Sequence, residues 1–154
     1  MNKTEKKNQF KHQILEKTIC DVFENMYFMF PELITHSFNQ FSFPLACYNT
    51  EVSLVEDKTN FYLFGAQLLV RKMAINFLGE ERFFEQDELI DVFKEATNVI
   101  VGNFISTSNV VPDIRFEIPD VKMKNLYLYD LDYSYDIDLM YVIENNFFRI
   151  AMTG

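Results

Sequence analysis

The sequence predicts an α+β domain: two pseudo-repeated helix–strand–strand halves with an additional helix, an antiparallel sheet packed against long helices. Three observations predict it. Apolar residues recur at steps of three or four in long segments, which is helical spacing. Runs of aromatic and β-branched residues, broken by polar turns, occur at strand length. Short sequence echoes then tie the first part of the chain to the last.

The first helix is expected from Gln9 to Phe30, where Phe10, Ile14, Val22, Met26 and Met29 form the apolar spacing and Pro31 offers a stop. Phe41 to Glu56 reads as a strand with an irregular start at Pro44, Asp57 to Asn60 as a turn, and Phe61 to Phe64 as the partner strand. Gly65 opens a second helix, Ala66 to Leu78, whose stripe is Leu69, Val70, Met73 and Phe77; Gly79 fits its C-terminal stop. A third helix runs from about Asp87 to Ser106. Pro112 and Pro119 punctuate a loop with short extended pieces. Tyr133 to Ile143 and Phe147 to Met152 are the closing strands, joined by a turn at Glu144-Asn145-Asn146.

The length, 154 residues, suits one domain spanning 1–154, with residues 1–8 as a frayed N-terminal tail. Half the residues are apolar (49%) and only four are Gly and four Pro, which excludes a disordered or linker-rich chain. The net charge of −9 argues against a nucleic-acid or anionic-membrane binder, because phosphate surfaces demand a basic face. Cys20 and Cys47 make no disulfide framework and have no spaced His to complete a zinc site; both read as small buried apolar residues. The Lys- and Asn-rich start lacks a secretory signal's apolar core, and no run reaches membrane-spanning length, so a cytoplasmic location is expected.

Asp21-Val22-Phe23 recurs as Asp91-Val92-Phe93, each inside a long helix, and Asn60-Phe61-Tyr62 is echoed by Asn146-Phe147-Phe148. The shared order of the echoes points to a duplicated unit with an extra helix between the halves.

Within the third helix Asp91, Glu95, Asn98 and Gly102 fall within roughly 60° of one another at about 100° per residue. Phe93, Ala96, Ile100 and Phe104 fall on the opposite side. The helix thus offers water a narrow stripe of two carboxylates, an amide and bare backbone. A polar face is what any amphipathic helix must have. Asn in mid-helix and Gly102, which costs about 1 kcal/mol relative to Ala, nevertheless need a reason to be there.

Asp91-x-x-x-Glu95-x-x-Asn98, followed by Gly102-Asn103 and then Pro119, resembles the signature of the CheC/CheX/FliY phosphatases of bacterial chemotaxis. The two-half layout is similar to theirs over nearly the whole chain. Either Pro119 or Pro112 can take the part of the family's proline. Aligning the Asp-Val-Phe triplets sets Asn25 opposite Glu95 and Phe28 opposite Asn98, so the acid and amide occur once, as in the CheX branch.

The resemblance implies an enzyme that hydrolyses the aspartyl phosphate of a CheY-like receiver domain. Asn98 would orient the attacking water, and Glu95 would pair with a receiver lysine. Asp91, Gly102, Asn103 and Pro119 would support or contact the partner. No cofactor of its own is implied; the Mg²⁺ is supplied by the receiver. A second reading is a non-catalytic adaptor for a receiver or flagellar component, and a third a structural domain with a merely hydrated stripe. A homodimer is also plausible, with the aromatic C-terminal strands adding to a sheet edge.

Other groups point elsewhere. His12 and His36 are isolated from any Ser or Cys nucleophile, and the scattered glycines form no phosphate loop. Asp130, Asp132, Asp136 and Asp138 lack EF-hand spacing and read as the solvent face of alternating strands.

Overall fold

The computed structural model describes residues 2–35, 37–55, 57–108, 116–117, 119–131 and 134–154. Helix α1 spans Lys3–Tyr27 and strand β1 Glu32–Leu33; β2 (Leu45–Ser53) and β3 (Asn60–Ala66) lead into α2 (Gln67–Leu78) and α3 (Gln86–Ser108). Strand β4 (Lys122–Leu126), a 3₁₀ turn (Leu128–Leu131), β5 (Ile137–Ile143) and β6 (Asn146–Thr153) complete the chain. All pairings are antiparallel in one six-stranded sheet of order β1-β5-β6-β3-β2-β4.

That order reads the same from either edge once β1 is exchanged for β4, β2 for β5 and β3 for β6. The halves are therefore α1-β1-β2-β3 and α3-β4-β5-β6, with α2 as the addition. Each half has one more strand than the echoes foretold. β1 is only two residues long and β4 reads Lys-Met-Lys-Asn-Leu, largely exposed, so neither carries the apolar alternation that marks a strand.

α1 begins six residues earlier than its apolar spacing suggests. Asn2 accepts from the Glu5 amide at 2.8 Å while Glu5 accepts from the Asn2 amide at 3.0 Å, a reciprocal cap that makes residues 3–8 helical rather than a tail. The helix stops at Phe28 in the left-handed region (φ 57°), ahead of Pro31, and Phe10 stands exposed. α2 ends at Gly79 (φ 70°), where glycine carries no Cβ penalty. The turn between β5 and β6 has positive φ at Glu144 and Asn145, the conformation that matches the twist of a tight hairpin.

One sheet face carries the helices. Phe23 of α1 meets Phe148 edge-on at 5.1 Å, and Phe104 of α3 meets Phe61 at 5.5 Å. Phe93 of α3 lies over β3 at Gly65, where an added Cβ would stand 2.6 Å from the ring. Cys47 is buried in this core, which pushes its thiol up to about 12, whereas Cys20 is only half-buried.

The other face is covered by irregular chain. Phe41 and Phe43 pack on Phe147, and Tyr135 on Tyr62. Arg149 is wholly buried there, forking onto Asp138 at 2.9 and 2.7 Å and donating to the Asp130 carbonyl at 3.2 Å.

These contacts overturn the solvent-face reading of the acidic cluster. Asp130 is buried and accepts from the Tyr127 amide; Asp138 neutralises a buried guanidinium; Asp136 is exposed and caps Gly154. Asp132 lies outside the described residues. The strand expected from Tyr133 accordingly starts at Ile137, because the preceding chain folds across the sheet to hold Arg149. The C-terminal strand cannot add to an edge either: β6 lies between β5 and β3.

Gly65→Ala should lower stability by about 1–3 kcal/mol, because the Phe93 ring is buried and has little room to yield. Urea unfolding measures this; unchanged stability would mean that Phe93 is not seated on β3 as described.

Candidate functional site

α3 is held by its apolar side. Phe93, Ala96, Thr97, Ile100, Val101 and Phe104 are buried, and the Thr97 hydroxyl donates to the Phe93 carbonyl at 2.8 Å rather than competing for anything outside. That seating decides what the opposite side shows. Asp91 and Glu95 are exposed, and Asn98 and Gly102 half-exposed. The four positions span about 16 Å along the helix axis.

Among the described residues, the side chains of Asp91, Glu95 and Asn98 have no hydrogen bond or ion pair within the chain. Their polar groups are thus committed to nothing but solvent. Glu95 does have an electrostatic neighbour: its charge, after burial, helps to raise the pKa of Tyr27 at the end of α1. α1 packs against α3, and its last residue, Tyr27, lies within electrostatic reach of Glu95.

That end of α1 is apolar. Phe28 follows Tyr27 and is 66% exposed, and Phe77 of α2, 53% exposed, is in ring contact with Tyr27 at 6.2 Å. Asn76 pins the junction by donating to the Tyr27 carbonyl at 2.7 Å. Sequence reasoning placed Phe77 in the core stripe of α2 and did not connect Phe28 with the acid. Only the packing of α1 against α2 and α3 brings them together.

Asn103 is exposed but lies about 100° around the helix from the stripe. Pro119 is not on α3: it is buried in the segment before β4, next to Asp120, whose carbonyl accepts from Thr50. Pro112 and His36 lie outside the described residues, and His12 sits 3.5 Å from Glu16 on α1. A Cβ at Gly102 would meet nothing within 4 Å. Among the described residues no atom explains that glycine; it leaves the helix backbone open at the end of the stripe.

The first half repeats the helix without the groups. α1 ends before Phe28, the position matched to Asn98, and Asn25 stands where α3 has Glu95.

A helix layer over this six-stranded sheet is the fold of known chemotaxis proteins. CheX from Vibrio vulnificus superposes with a TM-score of 0.67 at 15% identity, covering 92% of this chain and 95% of that one. CheX from Desulfovibrio desulfuricans gives 0.65 at 12%, covering 92% and 97%. A chain of the CheX-CheY-BeF3-Mg²⁺ complex from Borrelia burgdorferi gives 0.56 at 14%, covering 92% and 95%. Identities this low establish the fold and nothing finer.

The family follows from the sequence itself. Residues 56–135, more than half the chain and including the whole stripe, match the family described as chemotaxis phosphatase CheX, and the chain belongs to that family. No curated protein matches the chain by sequence. Among the described residues, no helix is long and apolar enough to cross a membrane.

Gly102→Ala should stabilise the fold by up to about 1 kcal/mol, since Ala is the better helix former and the space is open. Thermal unfolding checks the sign; a loss of stability would place a hidden contact at that position.

Proposed function

We propose that the chain is a phosphatase that hydrolyses the aspartyl phosphate of a CheY-like receiver domain, with Asn98 orienting the attacking water and Glu95 pairing with a receiver lysine. The observation that carries this reading is the uncommitted acid and amide, one helical turn apart, on the outward side of a rigidly seated helix. Membership of the CheX family and the likeness to the Borrelia burgdorferi chain solved with CheY support the choice of reaction and partner.

The chemistry asks little of the protein beyond position. Hydrolysis of an acyl phosphate needs a water in line with the bond that breaks and donors or cations to balance charge on the phosphoryl oxygens. The Asn98 carbonyl can accept from that water while its amide N–H groups donate to it or to a phosphoryl oxygen. Holding a water in this way reduces the entropy lost on reaching the transition state.

Glu95 beside a phosphoryl group would repel it, so its role lies with a cation. Pairing with a receiver lysine fixes the register of α3 against the partner, and gives specificity more than affinity. Asp91, one turn earlier, supports the same edge. Phe28 and Phe77 supply apolar area next to the charged contact, which a partner surface can cover. The Mg²⁺ belongs to the receiver and arrives with the phosphoryl group.

Asn98→Ala should leave the fold intact and slow dephosphorylation about 100-fold or more, the usual effect of deleting one positioned polar group. The decay of a phosphorylated receiver, followed with and without the variant, measures it. Wild-type speed would remove Asn98 from the water-orienting role. Glu95→Ala should instead weaken complex formation, read by titration against a receiver held in its phosphorylated form. Binding without any shortening of the phosphate's lifetime by the wild-type chain would identify an adaptor.

A further inference from the structure

We propose that the cleft between the first turn of α2 and the first turn of α3 binds a small organic anion, a carboxylate carried on an aromatic or branched aliphatic body. This goes beyond the phosphatase reading and uses none of its residues. The cleft is about 330 Å³, and its walls include Tyr48, Gln67, Arg71, Gln86 and the rings of Phe83 and Phe84. Gln86 lies about 150° around α3 from the stripe, so the cleft opens away from it.

Four features of the cleft suit an anion with an apolar body. α2 starts at Gln67 with Ala66 before it, no side-chain cap and no acid in its first turn. The first amide N–H groups of that helix lack intrahelical partners and carry the positive end of its dipole. α1, by contrast, is capped by Asn2 and Glu5, and α3 carries Asp87 and Glu88 in its first turn.

Tyr48 is the second feature. It is wholly buried, yet its hydroxyl has no hydrogen-bond partner. Tyr48 and Gln67 both line the cleft. A buried hydroxyl left unpaired is costly, and a ligand oxygen would satisfy it.

Arg71 is the third. It is exposed, lines the cleft and, among the described residues, has no ion pair or hydrogen bond. Arg82 nearby is already neutralised by Glu80 and Glu88 and lies 4.3 Å over the Phe84 ring, which fixes the fourth feature, an aromatic wall. One free guanidinium, a hydroxyl and two amides match the two oxygens of a carboxylate. The apolar walls require that the rest of the ligand be apolar.

Phenylacetate is a suitable probe, titrated into the isotopically labelled chain and followed by amide chemical shifts. Saturable shifts are expected at Gln67–Leu69 and Gln86–Leu89. Arg71→Gln, on the surface and harmless to the fold, should weaken binding about tenfold or more, the loss expected for a charge-assisted hydrogen bond. Tyr48→Phe should weaken it about fivefold, the loss expected for a neutral hydrogen bond. The proposal is overturned by no saturable shift up to about 10 mM, well above the millimolar Kd expected of a fragment-sized ligand. It is overturned equally by undiminished affinity in Arg71→Gln, or by benzyl alcohol or inorganic phosphate binding as tightly as phenylacetate.

Discussion

The contact on which the rest depends is the seating of Phe93 on bare backbone at Gly65. A residue with a Cβ at that point of β3 would lift the ring, and with it the first half of α3, off the sheet. With the ring seated, Tyr48, Phe61 and Phe104 close the layer and α3 has one rotational setting. Asp91, Glu95 and Asn98 then face outward because nothing else is left for that side of the helix to do.

The duplicated framework carries the polar stripe in one half and not in the other. The sheet order is symmetric under exchange of the halves, and α1 and α3 pack against each other. Yet α1 turns left-handed at Phe28, so the position matched to Asn98 falls outside the helix. An amide there would lack the backbone that holds Asn98. What the first half contributes instead is apolar: Phe28, exposed and next in sequence to Tyr27, whose pKa the Glu95 charge helps to raise. One half thus supplies polar groups and the other adjoining hydrophobic area.

Charge is distributed with the same economy. The chain carries −9 overall, but one of its cations, Arg149, is spent inside, on Asp138 and the Asp130 carbonyl. A buried ion pair of this kind is a weak source of stability, while removing either partner strands the other. Its structural effect is to fasten the chain around the 3₁₀ turn and Tyr135 across the second face of the sheet. Among the described residues, Asp91 and Glu95 of α3 make no ion pair, which leaves Glu95 available to a cation from outside.

The sequence by itself determined the three helices, the two hairpins, the stop at Gly79 and the outward stripe on α3, because each is written in local spacing or turn chemistry. It also carried the duplication, in two three-residue echoes. Tertiary structure alone decided the rest. β1 and β4 exist because neighbouring strands offer unpaired backbone, not because their own residues alternate. Asp130 and Asp138 are held inward by Arg149, a residue eleven or more positions away that no periodicity links to them. The cleft at Tyr48 and the aromatic cluster at Tyr27 arise where separate helices meet. Spacing along the chain reports which side of an element is apolar; which elements meet on that side is set by packing.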